Sequence, residues 1–248
     1  MADPALVREI SIVVPAYNEA ALLPRLLDTI DAARDRFAGG RDQIEVIVAD
    51  NGSTDDTAAI ARARGSVVAP VSKRMIAAAR NGGAALATAP ILCFVDADMQ
   101  IHPETFNAIA RTMNDRRYVG GATGVTMERW SIGIAITFAA ILPLVWLTNM
   151  DTGVVFMRRE DYLKTGGYPE GRHYAEDVAF LWKLIRLGRS RGQRMTRLRA
   201  FKSIASTRKF DKYGDWHYFW MMPALTLGTL RPQSSGSPKA RAYWYDDR

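Results

Sequence analysis

Apolar and polar positions fall into two kinds of block over the first hundred residues. Short, nearly continuous apolar runs, Ile10 to Val14, Ile44 to Ala49, Ser66 to Pro70 and Ile91 to Val95, predict buried strands. Between them lie stretches whose apolar residues recur at spacings of three and four. Asn18-Glu19 opens the first, with Leu22, Leu23, Leu26, Leu27 and Ile30 facing inward. Thr57 to Arg64 is the second, with Thr54 or Asp55 as its cap, and alanine-rich Lys73 to Ala87 is the third. Pro15 closes the first strand, and Gly39-Gly40 breaks the chain before the second. Strands and helices alternating in this way predict a parallel sheet with right-handed crossovers.

The second half is less regular. Pro103 to Asn114 and Glu176 to Leu187 read as helices, Thr152 to Met157 as a buried strand, and Tyr118 to Met127 as extended chain. Ser131 to Met150 carries no charge over twenty residues. That is barely enough to span a bilayer, and Pro143 interrupts it. A span would also separate Glu176-Asp177 from the first half, so a buried or membrane-surface helix is the expected form. Pro232 to Pro238 reads as a flexible linker before a short tail at 232–248.

Three predicted strands end in polar clusters: Ala16-Tyr17-Asn18-Glu19, Asp50-Asn51-Gly52-Ser53 and Asp96-Ala97-Asp98. In open α/β sheets the carboxyl ends of the strands form the ligand crevice. Acidic residues far apart in sequence are therefore expected along one edge. Asp96 and Asp98 are two apart, so in extended chain both carboxylates reach one side. Such a pair suits Mg²⁺ or Mn²⁺, ions that complete their shell with substrate phosphates and water. The alternative is an acidic loop that caps the next helix. Asp50 in DNGSTDD has two readings as well, turn chemistry or a contact to a nucleotide base or ribose. Glu176-Asp177 suits a helix N-terminus and equally a general base. Lys73, Arg74 and Arg80 are a solvated basic face or a phosphate contact. Arg208 and Lys209 could serve a leaving diphosphate.

Composition narrows the class. The 33 Lys and Arg against 26 Asp and Glu leave a net charge of +7, which favours anionic partners. The basic residues show no repeating pattern with aromatics, so nucleic acid is not expected. Cys93 is the sole cysteine, and the three histidines (His102, His173, His217) are scattered; a cysteine-rich zinc site is excluded. His217 is more readily a surface or core residue than a metal ligand. The first residues lack a cationic head followed by an apolar core, so the expected compartment is the cytoplasm. Peripheral contact with the inner face of the membrane is consistent with the charge and with Trp130, Trp146, Trp216 and Trp220.

Val14-Pro15-Ala16-Tyr17-Asn18-Glu19, Asp50-Asn51-Gly52-Ser53-Thr54-Asp55, Arg80-Asn81-Gly82-Gly83, Asp96-Ala97-Asp98, Gly166-Gly167-Tyr168 and Glu176-Asp177 stand in this order. The set, over about residues 8 to 210, resembles the family 2 glycosyltransferases. The resemblance implies an α/β GT-A fold: a Rossmann-like, mostly parallel sheet flanked by helices, with a C-terminal acceptor-side extension. It implies a nucleotide-sugar-binding half at 1–115 and an acceptor and catalytic-base half at 116–231 of one domain. It implies inverting transfer from a nucleotide-diphosphate sugar, UDP-linked in preference to GDP-linked, to an acceptor hydroxyl. By position, Pro15, Ala16, Tyr17, Glu19, Asp50, Arg74 and Asp96 would bind the nucleotide. Asp98 with Asp96 would hold Mg²⁺ or Mn²⁺. Asp177 would be the catalytic base, with Glu176 beside it at the acceptor.

Asn51 departs from the family pattern, which often has a second aspartate there. The Gln-x-x-Arg-Trp signature of processive synthases is absent, which favours single transfer. The apolar stretch from Ser131 to Met150 hints at a lipid-linked or other apolar acceptor. Two other readings compete. A nucleotidyltransferase would carry a Gly-rich, basic loop after the first strand, and VPAYNEAA has neither feature. A non-catalytic nucleotide-sugar-binding protein would have lost some of Asp50, Asp96, Asp98 and Asp177, and all four are present.

Overall fold

The computed structural model describes residues 8–148, 150–171 and 175–221. The tail expected at 232–248 lies outside the described residues. The first half runs β1 (Ile10–Ala16), α1 (Leu23–Asp35), β2 (Ile44–Asp50), α2 (Thr57–Ala63), β3 (Val67–Pro70), α3 (Ile76–Leu86) and β4 (Ile91–Phe94). The chain continues through β5 (Met99–Gln100), α4 (Thr105–Asn114), β6 (Tyr118–Ala122), β7 (Val125–Met127) and α5 (Ile132–Thr148). It then forms β8 (Val155–Arg158), α6 (Arg159–Thr165), α7 (Glu176–Arg189), β9 (Arg194–Arg197), β10 (Ser203–Ala205) and α8 (Arg208–Tyr213).

A seven-stranded sheet has the order β3-β2-β1-β4-β8-β6-β9, and β5-β10-β7 form a small second sheet. Strands β1 to β4 are mutually parallel, as their apolar runs predict. Every residue of β1 is buried because helices cover both faces. Ile10, Ile12 and Val14 join the cluster containing Leu23, Leu26, Ile30, Phe106 and Ile109. Val13 points the other way, into the cluster containing Ala77, Ala79 and Phe180. This two-residue alternation sorts the strand's side chains into two cores.

Helix α3 lies close to the sheet because its inner face is small. A Cβ built on Gly83 would sit 2.4 Å from Val13 Cγ1 and 3.2 Å from Ala49 Cβ. Gly83 of the Arg80-Asn81-Gly82-Gly83 motif is therefore a packing requirement. It also sets the distance from Arg80 to the ends of the strands.

Three local expectations are corrected. Helix α1 begins at Leu23, not at Asn18-Glu19. Pro24, which has no N–H to give, fits only the first turn. The preceding residues turn instead, with Leu22 and Leu23 donating to the Glu19 carbonyl at 3.0 and 2.8 Å. The stretch Tyr118 to Met127 is extended as expected, in two strands of two sheets divided at Gly124, whose φ is +75°. The strand foreseen at Thr152 to Met157 is β8, shifted to Val155–Arg158; it runs antiparallel to both β4 and β6. The sheet is thus mostly parallel, as the resemblance implied. The third helix begins at Ile76 rather than Lys73.

Gly83→Ala is expected to destabilise the protein by about 1–3 kcal/mol, since the added methyl overpacks against β1. The midpoint of urea unfolding measures it, and an unchanged midpoint would contradict the close approach.

Candidate active site

Three loops meet at the carboxyl ends of the parallel strands. The register pairs Ala16 with Asp50, Val13 with Phe94, and Asp50 with Pro70. The Tyr17–Glu19, Asp50–Asp55 and Asp96–Asp98 segments therefore leave the sheet at one edge. The first two are laced together. Asn18 adopts a φ of +50°; its N–H donates to Ser53 Oγ at 3.0 Å, and its side-chain oxygen accepts from Thr54 N at 2.8 Å. Glu19 N donates to Thr57 Oγ1 at 2.8 Å, and Ala20 N to Asp55 Oδ2 at 3.0 Å. Asp55 Oδ1 accepts from Thr57 N at 3.0 Å, while the N-cap position of α2 falls to Asp56, which makes no side-chain cap bond.

Asp50 is partly exposed, and its Oδ1 accepts from Ser53 N at 3.1 Å. Asn51 is buried and turned away from it. Its amide donates to the carbonyls of Val71 and Lys73 at 3.1 and 2.7 Å, which fastens the loop after β3. An aspartate in its place could not donate, so the departure from the family pattern has a structural use. On that loop the Arg74 guanidinium stacks over the Tyr17 ring, 4.1 Å from its centroid, and donates to its hydroxyl. Tyr17, Asp50 and Arg74 thus border one side of the edge. Pro15 and Ala16 are buried in β1 and meet the site only through their backbone.

Arg80 joins that edge to the second half. Its guanidinium donates to Asp96 Oδ1 at 2.9 Å and to Glu176 Oε1 at 2.8 Å, and it lies 5.0 Å from the centre of the Tyr168 ring. It is buried on α3, so it is an internal bridge rather than a solvated face. Burial works against its charge, but the carboxylates of Asp96 and Glu176 around it keep it protonated. Burial, reinforced by neighbouring Asp177, pushes the Glu176 carboxyl up to about 7 against the pull of Arg80. Asp177 follows Glu176 at the first turn of α7 and is partly exposed; its Oδ1 accepts from Val178 N at 2.7 Å. Ala175, just before the helix, has a φ of +54°, unusual for a residue with a Cβ.

Asn81, beside Arg80, holds the Gly166-Gly167-Tyr168 turn. Its amide nitrogen donates to Tyr168 O at 2.9 Å and to Glu170 Oε1 at 3.0 Å. Its oxygen accepts from Tyr168 N at 2.9 Å and from the Tyr162 hydroxyl at 2.7 Å. Lys73 reaches Glu170 at 2.7 Å. Tyr168 also stacks on Phe180, with centroids 4.2 Å apart. Neither Asn81 nor Glu170 stood out as a positioning residue in the sequence. The motif Arg80-Asn81-Gly82-Gly83 was the signal for the first, while nothing local marked the second.

Glu19 has another role than its position suggests. Its side chain is 1% exposed and receives both terminal nitrogens of Arg208, at 3.0 and 2.9 Å. Arg208 also lies 3.7 Å from Asp98 Oδ2. Glu19 therefore anchors α8 to the first loop, and Arg208 sits beside the second aspartate of the Asp96-Ala97-Asp98 motif. His217 does not join this group. Its ring packs on Phe210 and Tyr218, and burial lowers its pKa. A cleft of about 540 Å³, lined by Glu9, Thr88, Pro90, Arg158 and Glu160 among others, lies at the opposite ends of the strands and holds none of these residues.

Among the described residues no three His, Cys, Asp or Glu side chains form a self-sufficient metal cage. The donor set on the edge consists of carboxylate oxygens, with Asp98 partly exposed and Asp96 holding one oxygen on Arg80. That set fits a hard divalent cation that draws its remaining ligands from a diphosphate and water.

The model of the family described as Glycosyl transferase family 2 matches residues 11–204. The chain belongs to that family. It is 39% identical over 106 residues to validoxylamine A glucosyltransferase of Streptomyces hygroscopicus subsp. jinggangensis, covering 40% of this chain and 24% of the relative. It is 39% identical over 105 residues to undecaprenyl-phosphate 4-deoxy-4-formamido-L-arabinose transferase of Klebsiella pneumoniae, covering 40% and 31%. The matches therefore span about a quarter to a third of the length of these relatives. In fold, the chain is similar to glucosyl-3-phosphoglycerate synthase from Mycobacterium tuberculosis, solved with Mn²⁺, UDP and glucosyl-3-phosphoglycerate. The TM-score is 0.62 at 22% identity, over 93% of this chain and 81% of that one. The GT-A fold expected from the motifs is thus the fold of the family 2 chain.

The raised carboxyl of Glu176 gives a pH signature. Its folded pKa exceeds the 4.5 of a free glutamate, so the folded state binds the extra proton. The contribution is complete below about pH 4.5 and is lost as pH rises through about 7. Glu176→Gln is expected to remove this slope from a plot of melting temperature against pH; an unaltered slope would place the titration elsewhere. Arg80→Met should destabilise by about 3–5 kcal/mol, because it leaves the buried Glu176 carboxylate without its cation. Adding Glu176→Gln to it should recover part of that loss in denaturant titration.

Proposed function

We propose that this family 2 chain is an inverting, metal-dependent glycosyltransferase. It moves one sugar from a nucleotide-diphosphate donor to the hydroxyl of an acceptor. The observation that carries the reading is the Arg80 bridge. It ties Asp96, beside the proposed metal ligand Asp98, to Glu176, beside the proposed base Asp177. Donor-side and acceptor-side carboxylates thus share one edge.

In this reading Tyr17, Asp50 and Arg74 receive the nucleoside. Asp98, with Asp96, holds Mg²⁺ or Mn²⁺, which when bound neutralises charge on the leaving diphosphate. Arg208, already beside Asp98, adds a second cation at that position. The Asp177 carboxylate takes the proton from the acceptor hydroxyl as its oxygen attacks the anomeric carbon. The bond from that carbon to the diphosphate oxygen breaks on the opposite face, and the bonding pair leaves with the nucleoside diphosphate. One displacement inverts the configuration, with no covalent enzyme intermediate. Glu176, held by Arg80, positions the first turn of α7. The fold relative with bound UDP supports a uridine donor, with GDP-sugars as the other class to test. The relative named for an undecaprenyl-phosphate substrate supports a lipid-linked acceptor. No helix among the described residues is long and apolar enough to cross a membrane.

Asp177→Asn is expected to leave donor binding near wild type and lower kcat by about 10²–10⁴-fold; unchanged turnover would refute the base assignment. UDP with Mn²⁺ should raise the melting temperature, worth about 2.7 kcal/mol at a hundredfold excess over Kd. Asp98→Ala should abolish the Mn²⁺-dependent part of that shift while the protein stays folded. A rise with GDP alone would redirect the donor to a GDP-sugar.

A further inference from the structure

Helix α5 was expected to be buried or to lie on a membrane surface, and the structure leaves most of it uncovered. Gly133, Ile134 and Thr137 face inward, and Ile134 packs with Met127 and Phe210. Phe138 packs partly against them, but much of the remaining described surface is apolar and faces solvent: Ile132 is 76% exposed, and Ile136 and Trp146 are exposed as well. The chain after α8 lies alongside, since a Cβ on Gly133 would meet the Asp215 backbone at 3.0 Å. That segment adds Trp216 and Trp220, the latter 75% exposed. Of the fourteen large apolar side chains exposed among the described residues, ten fall within 130–146 and 204–220. A soluble surface scatters such residues singly, whereas clustering marks an interaction site.

We infer that this face docks on the surface of an anionic lipid bilayer, with α5 lying in the plane of the interface. Three observations select that occupant. First, α5 has 17 residues, about 25 Å at 1.5 Å each, short of the roughly 30 Å hydrocarbon core. It can lie in the interface but does not cross. Second, the exposed set is rich in tryptophan, which prefers the headgroup level. Third, the charge is complementary. Exposed Arg199 and Lys202 precede exposed Ile204, and exposed Lys212 adjoins Tyr213. Nearby Asp211 and Asp215 are both engaged by Arg129. Cations flanking an apolar helix are what an anionic headgroup layer attracts.

The surface adjoins the active-site edge. Phe210 of α8 packs under α5, and Arg208 of the same helix holds Glu19 and stands by Asp98. Docking would bring that edge to headgroup level, where a lipid-linked hydroxyl is presented. The inference deepens the transferase reading and rests on it for the acceptor; the surface itself does not depend on it.

The test is co-sedimentation of the full chain with phosphatidylcholine vesicles, with and without phosphatidylglycerol, in the absence of any donor. Wild type is expected to sediment with the anionic vesicles at low salt and to be released by salt. Ile132→Glu with Ile136→Glu should weaken binding at least about tenfold, since two apolar anchors are lost. Arg199→Glu with Lys202→Glu should weaken binding to anionic vesicles alone. The UDP and Mn²⁺ melting shift should stay unchanged in both variants. No sedimentation at low salt would overturn the inference, as would wild-type binding by the Ile132/Ile136 variant. So would a dimer in sedimentation velocity that this variant dissociates, which would make a second copy the occupant. Vesicle binding seen only after removal of 222–248 would assign the face to that segment and overturn it too. A melting shift without vesicle binding would leave the transferase reading standing; vesicle binding without a melting shift would do the reverse.

Discussion

One buried guanidinium holds the candidate site together. Arg80 reaches from α3 to Asp96 at the end of β4 and to Glu176 at the start of α7. A charge in that position is tolerable only with its partners in place, because removing either member leaves the others in a medium that solvates them poorly. The bridge therefore does more than add stability: it fixes the distance between two halves that share a sheet but are joined by irregular chain. The small face of α3 lets Arg80 sit low enough to reach both, and Tyr168, stacked on Phe180, places its ring against the guanidinium.

The remaining loops are secured by a different chemistry. Between the Tyr17–Glu19 and Asp50–Asp55 segments the contacts are neutral or singly charged hydrogen bonds, several from backbone N–H groups. Many weak bonds over two short loops give a shape that is set before a ligand arrives. Preorganised polar groups of this kind favour recognition of a charged donor without a reorganisation cost at each encounter. Asn51, Asn81 and Asn18 each use an amide that can donate, accept or both, where an aspartate could only accept.

Much of this was legible in the residues. Four apolar runs marked β1 to β4, and polar clusters at their ends marked the edge where Asp50, Asp96 and Asp98 emerge. These features are local, so periodicity and turn chemistry reveal them. The direction of β8 was not legible. An apolar run of its length fits a parallel or an antiparallel strand equally, and its neighbours β4 and β6 are chosen by tertiary packing. The same limit hid the destination of Glu19. Its place in Tyr17-Asn18-Glu19 suggests the nucleotide, yet its carboxylate is turned inward onto Arg208, 189 positions along the chain. Arg80 carried a correct motif and an incomplete reading, because which carboxylates a buried arginine meets depends on loops that converge only in three dimensions. For helix α5 the residues left a buried and a membrane-surface form open, and only its neighbours reveal how little of it is covered.

The span between Glu19 and Arg208 also bears on the order in which the molecule matures. The first loop is made 189 positions before its anchor, so the strands that follow it can form before that loop is pinned. Contacts of such separation close late, since a large loop must be ordered before they form. A ribosome-bound fragment ending ahead of α8 would hold the candidate site edge without its clasp. Completion of the site is in this way coupled to completion of the chain through α8.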